Sequence, residues 1–211
     1  ATRVISYVSA QNDEYLKHNI TPYESEMFTI KGVKMFADGA LGSRGAALLE
    51  PYSDKSGTKG LFLMEEEEMF KKAKKAAEQD FSVAIHAIGD AAVRMVLNVY
   101  ERIRKEVNPP EHIHLRIEHS QTVTKEDLKR YKELKVIPTV QAIHCTSDAA
   151  TITENRLGKD RLDTAYPWKS FLEQGTKILG GSDFPIESND PILGIKAFIK
   201  RIPNGHEKSW Q

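Results

Sequence analysis

Three short apolar runs in this sequence each end in a side chain that can bind a metal ion or move a proton. VAIHAIGD (Val83 to Asp90) offers His86, LRIEHS (Leu115 to Ser120) offers His119, and LGGSDFP (Leu179 to Pro185) offers Asp183. Two neutral imidazoles and a carboxylate make a donor set that suits zinc, manganese, cobalt or iron and is too rich in nitrogen for calcium. Each histidine alone reads more readily as a hydrogen-bonded core or surface residue; three such placements in series favour ligands. Lys34 lies in VKMFADG between Val33 and Met35. It is either an ordinary strand lysine paired with Asp38, or a buried amine with a pKa low enough to capture carbon dioxide as a carbamate, a group that bridges two metals.

Residues so far apart in the chain meet only if the fold brings them together, and the sequence pattern supplies the means. Arg3 to Ser9, Phe28 to Asp38, Phe81 to Ile88, Ile113 to Glu118, Lys135 to Ile143 and Lys177 to Gly181 read as strands, the fifth of them in spite of Pro138. Helical patterns fall between them. Asn12 to Asn19 is a short one, and Glu65 to Gln79 places its acidic residues ahead of its lysines, which suits the helix dipole. Asp90 is expected to cap a helix with the stripe Val93, Val96, Leu97, Tyr100 and Ile103, ended by Asn108-Pro109-Pro110. Thr124 and Asp127 resemble a capping box. Short helical pieces are expected up to about Gly158, a helix beginning at Tyr166-Pro167 and ending before Gly175, and a last one from Asp190-Pro191 bearing Ile192, Ile195, Phe198 and Ile199. Six alternations of strand and helix predict an α/β fold with a parallel sheet. In a parallel barrel the carboxyl ends of all strands share one face, so His86, His119 and Asp183 converge there. The Gly- and Ser-rich connector from Gly39 to Phe62 is long enough to read as a lid or substrate loop.

Bulk properties narrow the partners. A chain of 211 residues can bury one substantial core, and residues 1–211 read as one domain. Lys plus Arg and Asp plus Glu both total 30, for a net charge of zero, so nothing calls for nucleic acid or an anionic membrane surface. Cys145 is the single cysteine, which excludes an intrachain disulfide and a cysteine-built zinc site. No apolar run reaches the roughly 18 to 20 residues that span a bilayer, and the first residues lack a signal-peptide core. The chain opens without Met and almost directly in a strand, which suggests a piece excised from a longer protein. The expected location is cytoplasmic.

VKMFADGALGS, AIHAIGDAAVR, RIEHSQTV, VQAIHCTSD, AYPWKSFLEQG and GSDFPIESNDP, in order from about Gly32 to Pro191, resemble the signature set of the amidohydrolase superfamily, in its amidohydrolase-3 branch. That branch includes N-substituted formamide deformylases and exoenzyme regulatory proteins. The resemblance implies a (β/α)8 TIM barrel and one or two divalent metals, zinc foremost. It implies Lys34 at the end of the fourth barrel strand, His86 on the fifth, His119 on the sixth and Asp183 on the eighth. Asp183 would bind metal and shuttle the proton of the attacking water to the departing nitrogen. Gln141 and His144 fall in a family segment that usually carries Pro where Ala142 stands; Gln141, Asp38 and Arg44 are then candidate substrate contacts, and His144 a candidate oxyanion stabiliser. The superfamily's His-x-His pair of strand one has no counterpart here, since His112 and His114 flank the start of a later strand run.

These readings predict a partial barrel, strands three to eight without the accompanying β-sandwich, whose exposed edges favour a homo-oligomer. The function expected is metal-dependent hydrolysis of carbon–nitrogen bonds other than peptide bonds, in amide, N-acyl or N-formyl small molecules. With two metal ligands missing, this chain alone is expected to be inactive, to hold metal weakly at best and to carry Lys34 unmodified. A non-catalytic regulatory or binding protein on the same scaffold is the alternative. A phosphotriesterase-like barrel is a third reading, disfavoured by GSDFP and the lack of a phosphate-type basic cluster.

Overall fold

Alternating apolar strands with a helix after nearly every one can bury both faces of a sheet only as parallel βα units. A computed structural model describes residues 2–210 and has this arrangement. Strand β1 (Val4–Ser9) leads through α1 (Glu14–Lys17) and a two-residue β2 (Tyr23–Glu24) to β3 (Phe28–Phe36). Then come α2 (Glu66–Glu78), β4 (Ser82–Ala87), α3 (Asp90–Glu106), β5 (Leu115–His119), α4 (Lys125–Glu133) and β6 (Val136–Val140). The chain continues through α5 (Ala142–Asp148), a π-helical turn, α6 (Glu154–Leu157), a 3-10 turn and α7 (Trp168–Glu173) to β7 (Leu179–Gly180) and α8 (Pro191–Lys200). The parallel order is β1-β3-β4-β5-β6-β7, with β2 antiparallel beside β3. Each large strand lies beside its predecessor, with none of the order reversal of a doubly wound sheet, so the sheet is a curled, open part of an α/β barrel.

Side-chain alternation divides the layers. Val83, Ile85 and Ala87 of β4, and Leu115 and Ile117 of β5, join the core shared with α2 and α3, where the stripe Val93, Val96, Leu97, Tyr100 and Ile103 is fully buried. The intervening residues Ala84, His86, Arg116 and Glu118 therefore face the barrel interior. A second apolar cluster joins Leu41, Ala46, Leu48 and Tyr52 of the long connector to α5, Tyr166 and Trp168. That connector is folded in place: Arg44 and Arg156 grip Asp54, and Arg161 donates to the carbonyls of Glu50 and Pro51.

Several local expectations change. Lys135 to Ile143 is a strand only to Val140, because Ala142 starts α5, which puts His144 on a helix. Pro138 is accommodated inside β6, opposite Ile117. Asp90 is the first residue of α3 and not its cap; its carboxylate accepts from Leu49 N and from Ala91 N, tying the connector to the helix. Pro167 precedes α7 instead of opening it. Of the expected stripe of α8, Phe198 packs on Trp168, but Ile192, Ile195 and Ile199 are exposed and Ala197 alone is buried on that helix. Thr124 caps α4 as its spacing predicts, accepting from Asp127 N at 3.2 Å, and Asp190 caps α8, accepting from Ile192 N at 2.8 Å. Among the described residues no helix is long and apolar enough to cross a membrane.

Candidate metal centre

Parallel register brings the polar residues together. Lys34 on β3 pairs with Ala84 on β4, Phe36 with His86, His86 with Glu118, and Ala87 with His119. The imidazoles of His86 and His119 lie edge to face with ring centres 4.5 Å apart. His144, from the first turn of α5, stacks on His119 with ring centres 5.9 Å apart. His119, Ser120 and Asp183 all have positive φ, a backbone state uncommon for residues other than glycine that recurs at functional sites.

A hydrogen bond fixes which ring nitrogen of His119 carries the lone pair. The side-chain amide nitrogen of Gln141 donates to Thr139 O, so its Oε1 faces His119 Nδ1, at 2.8 Å. That oxygen can only accept, so Nδ1 of His119 holds the proton and Nε2 is the free base. His86 Nε2 lies 3.3 Å from Asp38 Oδ1 and 3.5 Å from Gly39 O, two acceptors on one side of its ring. Burial pushes the pKa of His119 well below its ordinary value, and the neighbouring His86, Lys34 and His144 push it the same way. Burial likewise lowers the pKa of Lys34, while the charges of Glu118 and Asp183 oppose the shift.

The remaining expected site residues have definite places. Asp38 is buried, and its carboxylate accepts from Ile88 N, Gly89 N and Ala47 N at 2.8 to 3.0 Å. It thus pins the end of β3, the β4–α3 turn and the connector to one another beside His86. Gly89 is required in that turn, because a Cβ there would land on the Ala47 carbonyl. Arg44 engages Asp54 through Nε and Nη2. Asp183 is exposed on the loop after β7, near enough for its charge to act on Lys34.

Arg116 and Glu118 are interior residues that the strand-end pattern does not single out. Arg116 donates to Glu118 at 2.9 Å and to Thr139 Oγ1 at 3.2 Å, and lies over the Tyr7 ring. The alternation within LRIEH was the available signal, since a charged residue at every second position lines one face of a strand.

The donors present fit a cation in kind. Two imidazoles lie side by side, and Nε2 of the buried His119 is left free by the Gln141 contact at Nδ1. The set is not gathered into a cage: among the described residues no three His, Cys, Asp or Glu side chains stand close enough together to hold one ion.

The sequence matches the Amidohydrolase family over residues 2–208. The amidohydrolase-named YtcJ protein of Bacillus subtilis (strain 168) is 39% identical over 178 residues, covering 84% of this chain and 32% of that protein. Protein LONG AFTER FAR-RED 3 of Arabidopsis thaliana is 34% identical over 187 residues, covering 88% of this chain and 32% of that one. The chain thus spans about a third of the length of these curated relatives. Among solved structures, an uncharacterized metal-dependent hydrolase from Pyrococcus horikoshii OT3 superposes with a TM-score of 0.84 at 34% identity, over 94% of this chain and 39% of that one. Another, from Pyrococcus furiosus, gives 0.81 at 36% identity, over 92% of this chain and 40% of that one.

Proposed function

The chain belongs to the amidohydrolase family, and on that premise we propose that residues 1–211 form one segment of the catalytic barrel of a longer metal-dependent hydrolase of carbon–nitrogen bonds other than peptide bonds. What supports this reading most is the pair His86 and His119, whose rings lie 4.5 Å apart, with Nε2 of His119 free. His86, His119 and Asp183 would hold the divalent ion, zinc in the simplest case, with Lys34 beside them. Such an ion polarises a scissile carbonyl and makes water nucleophilic near neutral pH.

The chain's own groups do the rest. Gln141 holds His119 in the tautomer that presents Nε2, and Asp38 lies 3.3 Å from His86 Nε2. Asp183 takes the proton of the attacking water and delivers it to the departing nitrogen. His144, with an unpartnered Nε2, stabilises charge developing on the carbonyl oxygen. Asp38 and Arg44 shape the wall, since their polar atoms are already engaged by the protein.

The ungathered ligand set favours a second reading, a non-catalytic protein on the same scaffold. Metal content by mass spectrometry, paired with a screen of N-acyl and N-formyl amines, separates the two. The hydrolase reading expects loose metal and no turnover from this chain. It expects stoichiometric metal and turnover from a longer protein containing it, both lost in His119→Asn. A longer protein that neither retains metal nor hydrolyses any such compound would leave the binding reading standing.

A further inference from the structure

A cleft lies at the opposite end of the strands from the histidines. It encloses about 740 Å³ between the residues that lead into β5, β6 and β7, the end of α3 and the end of α4. Its chemistry is cationic. Arg104, Lys132, Lys135 and Lys177 line it against only Glu111 and Glu133. Among the described residues Lys135 alone of these cations has a carboxylate partner, Glu111 at 2.9 Å.

Arg104 is the most informative of the four. Its guanidinium is partly buried and donates only to neutral groups, the carbonyls of Leu134, Pro109 and Lys135. Two of these carbonyls lie at the carboxyl end of α4, where the helix dipole supplies about half a negative charge, so a positive excess remains. A partly desolvated cation with no carboxylate in contact attracts an anion more strongly than the same group in open water. Lys132 folds over the turn at Gly175, with its Nζ 3.7 Å from where a Cβ on that glycine would sit. Thr176, next in the cleft wall, is 5% exposed and its hydroxyl has no hydrogen-bond partner. Among the described residues Arg104, Lys132 and Lys177 thus line the cleft without a carboxylate partner.

We propose that this cleft binds a small oxyanion, a phosphate or carboxylate group, held by Arg104, Lys132 and Lys177 of its lining. The site is separate from the metal-centre reading, because it lies at the amino ends of the strands whose carboxyl ends carry His86 and His119.

The test is titration of the protein with inorganic phosphate and, separately, with acetate at fixed ionic strength. The amide signals of His114, Gly175 and Lys177 are followed by NMR. Saturable shifts with a Kd on the order of 1 mM are expected, since two or three partly solvated cations support weak binding. Saturation by phosphate alone assigns a phosphate ligand, and saturation by acetate alone assigns a carboxylate. The double variant Lys132→Ala/Lys177→Ala changes only two lining side chains and should keep its melting temperature while weakening binding by about tenfold. The proposal is overturned if neither anion gives a saturable shift, or if a folded double variant binds as tightly as the parent.

Discussion

Replacing Asp38 by Ala tests whether one carboxylate holds the site's framework together. Asp38 accepts three backbone N–H groups, from Ala47, Ile88 and Gly89, which are all buried, and its Oδ1 also faces His86 Nε2. Orphaning a buried donor costs about 1–3 kcal/mol, so losing all three should cost about 3–6 kcal/mol after partial rehydration. That is a large share of the roughly 5–15 kcal/mol by which a domain is stable. Asp38→Asn keeps one accepting oxygen but turns an NH2 toward at least one of the amides, so about half the loss is expected. Urea unfolding followed by circular dichroism reads the difference directly. With a slope of about 1–3 kcal/mol per molar urea, the Ala variant should move the midpoint by more than about 1 M. A shift below about 1 kcal/mol in both variants would refute the argument, because it would mean that water or a rearranged loop satisfies the three amides as well as the carboxylate does.

Gly89→Ala should destabilise by about 2 kcal/mol or more, because the added methyl meets the backbone of Ala47, which cannot rotate away; unfolding at the parent's midpoint would contradict this. Thr124→Ala removes the acceptor for Asp127 N and one donor to the buried Asp127 carboxylate, and should cost about 1–2 kcal/mol in the same assay. His119 has a folded-state pKa depressed by burial, so the unfolded chain binds the proton first as the pH falls. Its contribution to stability is therefore full above the ordinary value of 6.5 and is lost as pH falls toward the lower folded value, with a slope of up to about 1.4 kcal/mol per pH unit. In the presence of a chelator, His119→Gln should flatten that slope, and an unchanged slope would assign it to other groups.

Local pattern carried much of this protein. The strand and helix order follows from side-chain period, because a residue's face on a strand or helix depends only on its own position. The Thr124 cap depends on a contact three residues away, and the sequence showed it, as it showed the start of α8 at Asp190-Pro191. His86 and His119 read as neighbours because parallel strands place their carboxyl ends on one face, and their rings do lie 4.5 Å apart. Tertiary structure alone decided what each polar group faces. Asp38 looked like a partner for Lys34, yet its donors come from 9, 50 and 51 residues further along the chain. The isoleucines of α8 have the period of a buried stripe but lie exposed, since periodicity says that a face is apolar and not what, if anything, covers it. Arg104 lacks a carboxylate partner for the same reason: the composition balances charge over the whole chain, while attraction between charges depends on distance and burial, which only the folded arrangement sets.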